Sequence, residues 1–182
     1  SNGRPTAGTV SITITGRNFV TSSTNTVVSL ASKILSTSKF CSNVSVSGTT
    51  QIKCILPVGV GANDLKVDVP GGGAANSLLG SSLFNYDAPT ITAIAPAATA
   101  RPTSGGFTLT LYGTNFGSSE YQNLLEVKIN ATVCDKAFII ADHTSLGCVV
   151  SAGTGTPSGI TLNVAGASSG AFAFAFSSPS IA

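Results

Sequence analysis

Arg4-Pro5-Thr6-Ala7-Gly8-Thr9-Val10-Ser11-Ile12-Thr13-Ile14-Thr15-Gly16-Arg17-Asn18-Phe19 returns further along the chain as Arg101 to Phe116, RPTSGGFTLTLYGTNF. Arg, Pro, Thr, Gly, an alternating run, Gly, Asn and Phe recur in register, and repetition of this kind identifies a duplicated structural unit. Within the run Val10, Ile12 and Ile14 alternate with Ser11, Thr13 and Thr15, while Phe107, Leu109 and Leu111 alternate around Thr108 and Thr110. A period of two puts one set of side chains on each face of a strand. The decisive stretch is therefore a half-buried β-strand, and it occurs twice.

Working outward, Cys41 and Cys54 correspond to Cys134 and Cys148, and Phe84-Asn85-Tyr86-Asp87-Ala88-Pro89-Thr90-Ile91 lines up with Phe174-Ala175-Phe176-Ser177-Ser178-Pro179-Ser180-Ile181. Leu65, Val67 and Val69, then Ile160, Leu162 and Val164, then Phe172, Phe174 and Phe176, add further alternating runs. Gly, Pro and Ser clusters punctuate them, as at Pro70-Gly71-Gly72-Gly73, read as a hairpin turn, and Gly153-Thr154-Gly155-Thr156-Pro157. No amphipathic helical pattern appears. Short strands at this spacing, in repeats of about ninety residues, indicate an all-β chain of two tandem immunoglobulin-like sandwiches. The expected division is 1–87, 88–178 and a tail, 179–182.

The ordered set Pro89-x-Ile91-x-x-Ile94-x-Pro96, Ser104-Gly105-Gly106 and Gly113-Thr114-Asn115-Phe116-Gly117, with the later paired cysteines and the closing Phe84-x-Tyr86, resembles the IPT/TIG domain. The likeness covers nearly the whole chain. Repeat one departs from it at Thr9, at Val20 in the place of Gly117, and by extra residues before Cys41. The resemblance implies a compact immunoglobulin-like sandwich. It is a fold used in cell-surface receptors and adhesion proteins, as an accessory domain of carbohydrate enzymes, and for dimerisation in some transcription factors, so fold alone does not assign function.

Composition narrows the choice. Of the 182 residues 42% are hydrophobic but only 9% charged, against ~25% charged in ordinary soluble domains, so the surface is largely Ser, Thr, Asn, Gly and Ala. The cations Arg4, Arg17, Lys33, Lys39, Lys53, Lys66, Arg101, Lys128 and Lys136 are scattered. Phosphate backbones are held by clustered cations, and no nucleic-acid partner is expected. No apolar run approaches the ~20 residues of a membrane-spanning helix. The chain lacks methionine, which reads as a processed product or a segment of something longer.

Four cysteines allow three pairings; the correspondence between repeats favours Cys41 with Cys54 and Cys134 with Cys148. Each would contribute roughly 3 kcal/mol and mark an oxidising compartment, extracellular or cell-surface. Asn43-Val44-Ser45 and Asn130-Ala131-Thr132 are N-glycosylation sequons. His143 beside Asp142 is the only histidine, and no nucleophile motif accompanies it; an exposed loop is the expected setting, since geometry and not residue type makes a triad. The carboxylates Asp64, Asp68, Asp87, Glu120, Glu126, Asp135 and Asp142 match no calcium-loop spacing. Neither a catalytic residue nor a metal or cofactor site is expected.

The ends are out of frame. Repeat two opens with Pro89 to Pro96, repeat one has only Ser1-Asn2-Gly3 before Arg4, and the chain closes on Pro179, Ser180, Ile181 and Ala182, the start of the same pattern. A segment cut from a longer array is the simpler reading. The sharper one makes the tail a donor strand for the vacant edge of repeat one in the next molecule, a head-to-tail contact that builds a filament. The function expected is a non-enzymatic extracellular adhesion or assembly module whose partners are other copies of itself or another surface protein. The rival is an accessory carbohydrate-binding module with glycan partners. For that rival Tyr121, in Ser118-Ser119-Glu120-Tyr121-Gln122, is the best exposed aromatic, whereas Tyr86 and Tyr112 lie on strands and are candidates for the core.

Overall fold

In the computed structural model the chain forms two compact units, Ser1–Asp87 and Ala88–Ala182. The structure describes residues 3–20, 26–68, 80–154 and 158–178. The Pro70–Gly73 turn, Val69, residues 155–157 and the tail Pro179, Ser180, Ile181 and Ala182 lie outside the described residues.

Unit 1 contains β1 (Ser11–Thr15), β2 (Val27–Ser32), β3 (Ser38–Phe40), β4 (Ser42–Ser47), β5 (Gln51–Ile55), β6 (Ala62–Asp68) and β7 (Gly80–Asn85). They make two antiparallel sheets, ordered β1-β5-β4 and β3-β2-β6-β7. Alternation decides what each sheet buries. Ile52 and Cys54 of β5 meet Val28 of β2 and Val67 of β6, with Phe19 closing the cluster; Leu30, Leu56, Phe84 and Tyr86 form a second layer. Sheet packed on sheet around such a core is a β-sandwich.

Unit 2 repeats the plan with β8 (Thr90–Ala95), β9 (Thr108–Thr114), β10 (Leu125–Ile129), β11 (Thr132–Val133), β12 (Ala137–Ala141), β13 (Ser145–Val149), β14 (Ser158–Val164), β15 (Ala167–Ser168) and β16 (Phe172–Phe174). One sheet runs β12-β13-β9-β8; the other runs β11-β10-β14-β15, with β16 also on β14. Leu109, Leu111, Phe116, Leu146, Cys148, Ile160 and Leu162 are fully buried between them.

Local chemistry explains the shared turns. Asn18 and Asn115 hold the left-handed backbone, at φ 60° and 63°, which a short amide side chain tolerates better than most. Each thereby turns the following Phe19 or Phe116 into its core. Asn115 also donates from Nδ2 to the Ala88 carbonyl at 3.3 Å. Thr9 stands where repeat two has Gly106, and it keeps the glycine's conformation, φ 66° against 77°. A β-branched residue there is strained.

The disulfides join Cys41 to Cys54 and Cys134 to Cys148, with Cα atoms 5.7 and 5.9 Å apart. Cys41 lies where the chain leaves β3 for β4, and Cys134 where it leaves β11 for β12. Each bond therefore ties the link between the two sheets to a central strand, β5 or β13.

Candidate functional site

The two units differ most at one edge. In unit 2, β9 lies between β13 and β8, and β8 pairs in the register Thr90↔Thr114, Ile91↔Gly113, Ala93↔Tyr112, Ile94↔Leu111 and Ala95↔Thr110. In unit 1, β1 pairs with β5 in unbroken register from Ser11↔Ile55 to Thr15↔Gln51, and among the described residues its other side carries no strand. Such an edge presents a row of unpaired N–H and C=O groups.

Side-chain burial records the same difference. Leu109 and Leu111 of β9 are 0% exposed, whereas their counterparts Ile12 and Ile14 are only partly buried, packed at the margin of the core. Ile91 of β8, itself 8% exposed, belongs to the strand that covers β9.

Edges are usually protected against adventitious pairing by bulges, prolines or charges. Among the corresponding sheets, β4 breaks register between Ser42 and Ser45, β12 between Ile139 and Ala141, and β8 between Ile91 and Ala93. β8 is also bounded by Pro89 and Pro96. β1, Ser-Ile-Thr-Ile-Thr, has no bulge, no proline and no charge. It is a straight edge of strongly β-forming residues.

Each unit carries an arginine in the stretch before its β1 or β9 strand, Arg4 in unit 1 and Arg101 in unit 2. Arg101 is 6% exposed; its Cζ lies 5.2 Å from the centroid of the Phe174 ring. Nε donates to the Pro96 carbonyl at 2.7 Å, and Nη1 donates to the Ala175 carbonyl at 3.3 Å. Burial lowers its pKa from the ordinary arginine value, and the cation is sustained by those carbonyls and the ring face. Arg4 makes the same approach to Phe84, at 5.1 Å, and Nη1 donates to the Asn85 carbonyl at 3.4 Å. Yet Arg4 is exposed.

The other expected features are placed as follows. Asn43 and Asn130 are both exposed and both left-handed, at φ 51° and 57°. Asn43 sits in the bulge of β4, and Asn130 in the β10–β11 turn. Asn130 rims a hollow of about 100 Å³ lined in part by Cys134, Val150, Gly153 and Phe176. Asp142 and His143 belong to the β12–β13 turn. There the Asp142 carboxylate accepts from the Ser119 N–H at 2.9 Å, and the His143 backbone bonds Gly117 and Phe116. His143 is partly buried rather than exposed.

The remaining carboxylates have local partners too. Asp64, Asp68 and Glu126 pair with Lys33, Lys66 and Lys128 at 3.4, 3.1 and 2.9 Å. Asp87 accepts from the Arg4 N–H at 2.7 Å, Asp135 from Ser151 at 3.0 Å, and Glu120 from Ser118 at 3.4 Å. Among the described residues no group of His, Cys, Asp or Glu could hold a metal ion.

The reading of the tyrosines requires correction. Tyr121 is 5% exposed, folded inward by the short 3-10 turn Ser119–Leu124. Burial first, and then the charge and hydrogen bond of Glu120, raise its pKa. Tyr112 is instead the exposed one, at 46%, while Tyr86 is buried. Tyr112 faces outward on β9 across from Ser145, two positions from Gly147, against which the Phe138 ring lies. Ile140, in the β12 bulge beside them, is 54% exposed.

None of the curated proteins matches the chain. Among solved structures, it is similar to SGBP-B from a complex xyloglucan utilization locus in Bacteroides uniformis, at 14% identity and a TM-score of 0.38, over 91% of this chain and 44% of that one. It is also similar to a protein crystallised with a xylogluco-oligosaccharide, at 18% identity and a TM-score of 0.42, over 96% of this chain and 37% of the other. The chain thus spans less than half the length of either structure. The IPT/TIG domain model matches residues 2–86 and again residues 89–176. With both repeats matched, this chain belongs to the IPT/TIG domain family.

Proposed function

We propose that this protein is a non-catalytic, extracellular structural module that assembles head to tail, the edge of β1 taking up an extended strand from another copy of the chain. The observation that carries the reading is the contrast of edges: β4, β8 and β12 are interrupted by bulges, and β1 runs straight, with no strand on its other side among the described residues and with Ile12 and Ile14 only partly buried. Adding a strand to such an edge satisfies the backbone groups along it and covers the apolar side chains below. The donor is the tail, because Pro179-Ser180-Ile181 repeats Pro89-Thr90-Ile91, the opening of the strand that covers β9.

Two disulfides support an oxidising compartment. In this reading Asn43 and Asn130 are glycan acceptors, and a glycan on Asn43 shields β4, the opposite edge of the same sheet. The scattered, locally paired carboxylates support a role without catalysis.

The test is electron microscopy and light scattering on the native chain and on one lacking residues 179–182. The cut is placed after Ser178 because Ser177 serves unit 2, its N–H donating to the Arg101 carbonyl at 2.8 Å. Polymers that vanish on truncation support the proposal. Polymers that persist, or a wild-type monomer whose β1 amides are already protected from exchange, overturn it.

A second reading, a glycan-binding accessory module, draws on the outward face of unit 2, where Tyr112 and Phe138 offer ring surfaces over small residues. Binding on a glycan array that is lost in Tyr112→Ala would favour it; an array without signal removes it.

A further inference from the structure

We infer that the hollow beside Asn130 is the seat of the first sugar of a glycan carried on that asparagine, the acetamido group of an N-acetylhexosamine lying inside it and the sugar ring lying against Phe176. The inference rests on the reading of Asn130 as a glycan acceptor given above, and adds to it where the sugar lies and which residue holds it.

The place is made by a short turn. Between β2 and β3 unit 1 carries residues 33–37, whereas between β10 and β11 unit 2 has only Asn130 and Ala131. Asn130 completes that turn in the left-handed conformation, at φ 57°, with its N–H donating to the Gly159 carbonyl at 3.0 Å. The two residues a glycosylating enzyme must read, Asn130 and Thr132, both line the hollow and both are exposed. An acceptor fixed at the mouth of a cavity brings the sugar attached to it within reach of the lining.

The lining suits one sugar. Val133, Val150 and Phe176 contribute apolar surface. The Phe176 ring is held in position: Phe174 meets it edge to face, centroids 5.0 Å apart, and Gly153 lies so near that a Cβ there would come within 2.9 Å of the ring. In unit 1 the corresponding Tyr86 is 4% exposed, and its hydroxyl donates to the Pro57 carbonyl at 2.8 Å. Phe176 is only partly buried and has no hydroxyl to satisfy, which leaves ring surface for the C–H face of a sugar. The hollow, about 100 Å³, is smaller than the ~150 Å³ of a cavity that admits benzene and larger than the ~10–15 Å³ one water requires. An acetamido group enters, and the hexose ring stays at the mouth.

Contact between a free sugar and one aromatic ring is weak. Covalent attachment makes it intramolecular, at an effective concentration in the millimolar range. The seated sugar also lies over β11, the edge strand of its sheet, where Val133 is 44% exposed. Both sequons then cover edges, Asn43 that of β4 and Asn130 that of β11.

The experiment uses the full chain with Ser45→Ala, which leaves Asn130 as the one sequon, secreted from a eukaryotic host that attaches high-mannose glycans. Intact mass gives the occupancy, and an endoglycosidase then trims the glycan to a single N-acetylglucosamine. The same chain exported to the bacterial periplasm supplies the sugar-free form. The expected result is a unit 2 transition about 4 °C higher in the one-sugar form than in the sugar-free form, as fits one added apolar contact in a domain of this size. Nuclear Overhauser effects join the acetamido methyl to the Phe176 ring, and in Phe176→Leu the two forms unfold at the same temperature. The methyl-to-ring contact needs no variant, so it decides the question where Phe176→Leu fails to fold. A shift that survives Phe176→Leu, or an occupied Asn130 whose methyl does not touch the ring, overturns the seat and leaves the acceptor standing. A secreted chain with Asn130 unmodified overturns the acceptor itself.

Discussion

β9 and β1 descend from the same sixteen-residue sentence, Arg-Pro-Thr through Asn-Phe, and end in different states. β9 is paired on both sides and its Leu109 and Leu111 are sealed; among the described residues β1 is paired on one side, and its Ile12 and Ile14 are only partly buried. The difference does not come from either strand's own residues, which are equally apolar on the inner face. It comes from a neighbour, β8, together with the arginine that holds the end of β8 in place. Burial in a sheet is a property of the pair, and a strand reads as core or as margin according to what lies beside it.

The comparison can be broken by removing inner side chains. Leu111→Ala is expected to destabilise unit 2 by about 3–4 kcal/mol, because a fully enclosed cavity is left. Ile14→Ala is expected to cost unit 1 only about 1–2 kcal/mol, since a partly buried site at the margin of the core loses less transfer free energy and can relax. Chemical denaturation followed separately for each unit checks this. Equal costs would mean that β1 is already covered in solution.

A second pair sharpens it. Gly113→Ala pushes a methyl into the Thr90 carbonyl and the Phe116 ring, and overpacking of this kind costs about 1–3 kcal/mol. Gly16→Ala meets the Phe19 ring at 2.5 Å with no neighbouring strand, so its cost falls at the low end of that range, about 1 kcal/mol. If strand uptake occurs as proposed, Gly16→Ala also obstructs it, and fewer polymers are seen by electron microscopy.

The smallest effect has the opposite sign. Thr9→Gly relieves a left-handed threonine without removing a packed side chain and is expected to stabilise unit 1 by about 0.5–1 kcal/mol, strain relief of about 1–2 kcal/mol being partly offset by a more flexible unfolded chain. Thermal unfolding would show a rise of a few degrees in the unit 1 transition, about what a domain of this size gives. No rise would mean that the Thr9 hydroxyl, which donates to the Gly8 carbonyl at 2.6 Å, compensates for its backbone.

Much of this was legible before any coordinates. Period-two alternation at Val10–Thr15 and Phe107–Leu111 identifies the strands because the pleat imposes it, and the duplicated arginine, glycines and cysteines identify two copies of one sandwich. Tyr121 was not legible: it lies among Ser, Glu and Gln, and only the 3-10 turn that rolls it inward makes it core. Nor were the bulges at Ser42, Ile91 and Ile139, since register is a relation between two strands. Arg4 and Arg101 stood out as a repeat identity, yet the setting of Arg101 depends on a carbonyl five residues away and a ring more than seventy away. No local pattern encodes that conjunction.

The disulfides at the sheet-to-sheet links also set how the molecule answers to force. Cys41 and Cys54 are 13 residues apart in sequence, Cys134 and Cys148 are 14, and each pair is held within 6 Å. Pulled from its ends until it unravels, each unit withholds the chain inside its bond, roughly 40 Å of length at the reach of an extended backbone. Tension arriving along β1 passes through its hydrogen bonds to β5, and from Cys54 it continues by covalent bonds to the opposite sheet. Under load the protein is therefore a tether of limited stretch, stiffened in the oxidised state and longer by about two such lengths once reduced.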